Sequence, residues 1–148
     1  MNENQREILL KHYQNPYHKG LINDETYEQA DMNNESCIDE VTVQAKIENN
    51  QIKDLHFDGE ACAICTSSAS IMVKTLENKT IEQAKEIYKN FENMVNGEPF
   101  DKEILEETSI YQEIGKQPSR KKCVSLPWWA IQKILNQKDT KKKKNMIQ

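Results

Sequence analysis

Glycine and proline are scarce, at four residues each in a chain of 148, which excludes a collagenous chain or a long low-complexity linker. No run of 18 or more apolar residues occurs, so no membrane span is expected. The opening MNENQREILLKHY is polar and then amphipathic. It lacks the apolar core of a secretory leader, which points to a cytoplasmic protein. A basic body is missing as well. The formal charge is −4, and the last eleven residues, Lys138 to Gln148, hold five lysines against one aspartate, +4, so the remainder carries −8. An acidic body argues against a nucleic-acid groove. Cysteine is limited to four residues. In a chain without a leader these are not read as two disulfides, because reducing compartments keep thiols available for metals or chemistry.

What is present suffices for one core. A hydrophobic fraction of 36% in 148 residues supports one domain without disulfide staples. Residues 1–137 are read as that domain and 138–148 as a flexible lysine-rich tail. A first helix is expected over Glu3 to Gln14, with Ile8, Leu9, His12 and Tyr13 on one face, and Asn15-Pro16 stops it. Val41, Val43, Ala45 and Ile47 alternate with Thr42, Gln44 and Lys46, the period of a half-buried strand. Asn49-Asn50 is a turn and Ile52 to Phe57 the returning strand. A third strand is placed within Thr26 to Met32. Asp58-Gly59-Glu60 then breaks the sheet, and a helix follows from about Cys62 to Leu76. Thr80 and Gln83 have capping-box spacing before the stripe Ile81, Ala84, Ile87, Tyr88, Phe91, Met94 and Val95, which Gly97 closes. A short helix is expected within Asp101 to Tyr111, and a last helical segment carries Trp128, Trp129, Ile131, Ile134 and Leu135. This order implies an α+β fold, with helices packed on one face of a small antiparallel three-stranded sheet.

The cysteines fall at the ends of elements, where distant side chains are most easily brought together. Cys37 precedes the first clear strand, with Asp39 two residues on. Cys62 stands where a strand turns into a helix, and the exposed amides there favour its thiolate. Cys123 lies near the start of the last helical region, beside the cations Arg120, Lys121 and Lys122, which are expected to favour its thiolate in the same way. Thiolates and a carboxylate suit zinc, and thiolates also suit iron–sulfur clusters. Cys62 and Cys65 make a CxxC, but no second CxxC completes a zinc ribbon and no βαβ context supports a thioredoxin-like reading. Asp39 has the alternative of capping a turn, and Cys65 of inert burial. His12 is expected to pack on its helix, His56 to project from an exposed strand face, and none of the three histidines is favoured as a ligand.

Four ordered motifs carry a resemblance over nearly the whole chain except the tail. His12-Tyr13-Gln14-Asn15-Pro16 with Lys19-Gly20 resembles the opening "HYxNPxxxG" of the U-type iron–sulfur cluster assembly proteins. Ser36-Cys37-Ile38-Asp39 resembles their "CGD". Phe57-Asp58-Gly59-Glu60-Ala61-Cys62-Ala63-Ile64 resembles "FxGxGCxI", followed by the small-residue run Thr66 to Ser70. Arg120-Lys121-Lys122-Cys123 with Leu126 and Trp128 resembles "RxKCxxLxW". The family includes IscU and the N-terminal domain of NifU. Lys122 where IscU proteins carry a histidine, and the connector from about Gly97 to Gly115, resemble the SufU branch.

The resemblance implies a zinc ion on Cys37, Asp39, Cys62 and Cys123, with Cys37 accepting persulfide sulfur from a PLP-dependent cysteine desulfurase of the SufS kind and passing it to downstream assembly proteins or apoprotein acceptors. Two alternatives use the same ligands: an IscU-like scaffold carrying a [2Fe–2S] cluster or iron, and a non-catalytic adaptor stabilised by zinc. Cys65 is an additional or alternative ligand candidate, and Arg120 and Lys122 are candidates for orienting Asp39 or a partner. The chain departs from the pattern at Ile38 and Ala61, both glycines in the family, at Cys65, usually a serine, and at Pro127, which is expected to kink the last helix or delay its start.

Overall fold

The computed structural model describes residues 1–34 and 38–147, and for 139–147 the backbone alone. Helix α1 (Glu3–Gln14) opens on a capping box between Asn2 and Gln5, which satisfies two amides that a helix start leaves bare. Three strands follow, β1 (Glu28–Asn33), β2 (Glu40–Glu48) and β3 (Gln51–Asp58). They form one antiparallel sheet in the order β1-β2-β3. Helices α2 (Ala63–Leu76) and α3 (Ile81–Val95), the short α4 (Lys102–Leu105) and α5 (Pro118–Ile147) complete the chain. The short helix expected within Asp101 to Tyr111 is α4, and 3-10 turns follow it at Glu106–Tyr111 and Ile114–Lys116. No helix among the described residues is long and apolar enough to cross a membrane.

The β2–β3 hairpin turns on Asn49 and Asn50, with φ of 53° and 63°, the left-handed pair that a two-residue hairpin loop requires. Its alternation is interrupted once. Lys46 pairs with Asp54 but Ile47 with Ile52, so Lys53 is an extra residue. That bulge shifts the parity of β3, and it is why Ile52, Leu55 and Phe57 are all buried.

One face of the sheet packs against α2 and α5. The opposite face is crossed by the segment after α1, where Gln44 holds Ile22 through both its amide oxygen and its amide nitrogen. Helix α2 is the centre of the molecule and is buried from Cys65 through Val73. Its small residues let α1, α5 and the connector approach closely, and their hydroxyls are used. Ser68 donates to the Val124 carbonyl at 2.7 Å, Ser67 meets the Tyr111 hydroxyl at 2.5 Å, and Ser70 meets His12 Nδ1 at 2.7 Å.

Pro127 neither delays α5 nor interrupts it. The helix starts at Pro118, nine positions earlier, and runs through. Pro118 stands at the first helical position, where a missing N–H costs nothing. The carbonyl that loses its amide donor at Pro127 is four residues back, on Cys123. Trp128 follows, fully buried, with its ring stacked on Phe91 at 4.4 Å and 10°. Truncating it leaves a cavity under α3. Trp128→Ala is expected to lower unfolding stability by about 3–5 kcal/mol, read by urea denaturation; a loss below about 1 kcal/mol would contradict its place in the core.

Candidate metal centre

The centre is built from a close backbone approach. Gly59 has φ of 144°, and a Cβ there would run into the Glu40 carbonyl, so only glycine lets the end of β3 lie against the start of β2. The contact is locked by the Glu40 amide donating to the Glu60 carbonyl at 2.9 Å. Three residues beyond Gly59, Cys62 therefore arrives beside Asp39.

Asp39 is 1% exposed. One of its oxygens accepts the Cys62 amide at 2.7 Å, and the other lies 3.6 Å from Cys62 Sγ. Cys62 is the N-cap of α2, and its sulfur accepts the Cys65 amide at 3.4 Å. Cys123 comes in from α5, 6% exposed. One donor atom each from Asp39, Cys62 and Cys123 lie within 4.8 Å of one another. A tetrahedral centre with bonds of about 2.3 Å to sulfur and about 2.0 Å to oxygen spaces its donors by about 3.5–3.8 Å. Two sulfurs and a buried carboxylate at this spacing fit zinc or an iron–sulfur cluster.

Cys37, the fourth residue of the sequence-based set, lies outside the described residues. Cys65 is turned into the core at 0% exposure, and its sulfur is not among the three converging donors. Arg120 and Lys122 are exposed, and among the described residues neither forms an ion pair with Asp39. The expectation that the neighbouring lysines and Arg120 hold Cys123 as a thiolate is overturned. Lys121 instead donates to Asn96, while burial, helped by Asp39 and Cys62, pushes the Cys123 thiol up to about 12. A metal captured here has to displace a proton. The departure at Ala61 costs no left-handed backbone, since its φ is not positive.

Asp39 and Cys62 line a groove of about 790 Å³ together with Tyr13, Pro16, Lys19, Ile38 and Glu60, among others. Ile38 is 87% exposed and Tyr13 44%, so large apolar side chains stand in solvent around the sulfurs.

His12 packs as expected, buried between Ser70 and Glu107. His56 does not project into open solvent. Its ring lies 2.8 Å from Asp54 and stacks on His18. The readable signal was Asp54-x-His56, two polar residues on one face of a strand.

A thiol–carboxylate centre at the mouth of a buried helix, on an open three-stranded sheet, defines a small α+β metal-binding class. Residues 4–124 match the family model described as NifU-like N terminal domain. The chain is 36% identical over 129 residues to the zinc-dependent sulfurtransferase SufU of Bacillus subtilis (strain 168), covering 86% of each protein. It is 30% identical to the iron–sulfur cluster assembly scaffold protein IscU of Thermotoga maritima, covering 87% of this chain and 90% of that one. The N-terminal part of a nitrogen-fixing NifU-like protein from Brucella abortus shares the fold, with a TM-score of 0.82 at 18% identity over 91% of this chain and 94% of that one. The chain belongs to the NifU-like N-terminal domain family.

Gly59→Ala forces Glu40 and Glu60 apart and with them Asp39 and Cys62. It is expected to weaken zinc binding by about 10–100-fold, measured by competition with a chromophoric chelator. Unchanged affinity in a folded variant would contradict this construction of the centre.

Proposed function

We propose that the protein accepts sulfur for iron–sulfur cluster assembly, taking it from the persulfide of a PLP-dependent cysteine desulfurase of the SufS kind. The supporting observation is the convergence of Asp39, Cys62 and Cys123, with Asp39 and Cys62 lining an open groove. Cys37, two residues before Asp39, completes the donor set. Cys37, Asp39, Cys62 and Cys123 would hold a zinc ion, whose charge would keep the three sulfurs unprotonated near neutral pH.

The remaining work is done by the chain. The Cys62 amide fixes the Asp39 carboxylate, so Asp39 holds its position as other donors exchange. The groove admits a partner loop, and Ile38 and Tyr13 give that loop apolar surface to bury. The Cys37 thiolate attacks the outer sulfur of the desulfurase persulfide. A new S–S bond forms to Cys37 as the S–S bond of the donor breaks, and the electron pair leaves on the desulfurase cysteine. No external oxidant or reductant enters, and the sulfur remains bound as a persulfide for the next acceptor.

A scaffold reading keeps the same donors with a [2Fe–2S] cluster as cargo, and the similarity to an IscU scaffold protein at 30% identity favours it. Iron separates the two readings. With desulfurase and cysteine but no iron, the zinc-loaded chain is expected to acquire one sulfane sulfur, and Cys37→Ala none, scored by intact-mass spectrometry. Equal loading of the variant would refute the acceptor role of Cys37. No loading of either chain without iron would favour the scaffold.

A further inference from the structure

A second group of ligand-bearing side chains sits at the other end of α2. That helix has 14 residues, so its two ends are about 21 Å apart. Its C-cap is Glu77. Beside Glu77 stand Asp54 and His56, two residues apart on the outer face of β3, and His18 from the segment after α1. One donor atom each from His18, Asp54 and His56 lie within 4.8 Å of one another. Glu77 Oε1 is 3.5 Å from His18 Nδ1, and Asp54 Oδ1 is 3.7 Å from it. Asp54 Oδ2 is 2.8 Å from His56 Nε2.

The charges are unbalanced. Asp54 and Glu77 bring two carboxylates to one spot, and among the described residues no lysine or arginine forms an ion pair with either. Lys46, the cross-strand partner of Asp54, sends its ammonium over the Tyr27 ring and towards Glu48. Hydroxyls fill part of the gap, Tyr27 donating to Asp54 at 2.6 Å and Tyr17 to Glu77 at 2.7 Å. Burial alone would raise Asp54, yet the hydrogen bonds from Tyr27 and His56 outweigh it and hold the carboxyl below its usual range. Asp54 has two imidazoles in reach. His18 is held there at a backbone cost. Its φ is 56°, uncommon for a residue with a Cβ, and it is pinned by its carbonyl accepting the Phe57 amide and by its ring donating to the Leu55 carbonyl at 2.9 Å.

We propose that His18, Asp54 and His56, completed by Glu77, form a second site for a divalent first-row transition-metal ion, separate from the thiolate centre. Imidazole and carboxylate donors suit zinc, cobalt and nickel. The His18 and His56 rings lie 13° from parallel with centroids 4.7 Å apart, so in-plane lone pairs do not meet at one point. Binding requires one ring to turn, and His18, with its side chain 30% exposed, turns by giving up its bond to the Leu55 carbonyl. The ion then ties that segment to β3 and α2. Pro16 and Lys19 of the same segment line the groove at the thiolate centre, so the second ion stiffens one wall of it.

The test is a cobalt titration of the full chain already carrying one equivalent of zinc. The wild-type chain is expected to take up one further equivalent of cobalt without the near-ultraviolet absorption that thiolate–cobalt bonds produce. The His18→Ala/His56→Ala chain is expected to bind that equivalent at least about tenfold more weakly and to keep its zinc. No cobalt beyond the zinc in the wild type, or undiminished cobalt binding in the double variant, overturns the site. If circular dichroism shows the double variant unfolded, His56→Gln is read by the same two criteria. The two centres share no residue, so failure to hold zinc on thiolates and failure to hold cobalt on imidazoles are separate results.

Discussion

Everything at the candidate centre depends on two stretches of backbone that lie closer than any side chain would allow. Gly59 rests against Glu40. That contact places Asp39 over the start of α2, where the Cys62 amide takes one of its oxygens. Buried carboxylates are costly unless paired or hydrogen-bonded. Asp39 therefore holds its place through its contact with the Cys62 amide. The arrangement is a site held in position by main chain, with the thiols supplied from two helices.

The same economy explains the centre of the fold. A helix packed on three sides needs small residues, and small residues that are serine or threonine bring hydroxyls that must be satisfied. In α2 they become the joints of the molecule: Ser68 to α5, Ser70 to α1, Ser67 to the connector. The helix presents Cys62 at one end and Glu77 at the other, and each end gathers its own cluster of ligand-bearing groups. Which cluster takes a soft donor set and which a hard one follows from the residues the neighbouring strands contribute.

Much of this was legible in the residues. Periodicity and caps located α1, the hairpin and α3, because their signals are local. The bulge at Lys46 and Ile47 was not legible, since it depends on how two strands choose to pair. The late start of the last helix that Pro127 suggested does not occur, because a helix anchored by Val124, Leu126 and Trp128 on either side tolerates the lost hydrogen bond. The cations near Cys123 misled because burial, with Asp39 and Cys62 beside the thiol, outweighs them. The grouping of Asp39, Cys62 and Cys123 followed from motif order. The His18–Asp54–His56 group did not, because it joins a loop to a strand 36 residues away through space.

The most direct test of the central claim is X-ray absorption at the metal edge of the freshly purified protein. The account predicts zinc with sulfur at about 2.3 Å and oxygen at about 2.0 Å in its shell. A shell of nitrogen and oxygen alone, or protein isolated without metal that does not take it up, would contradict it.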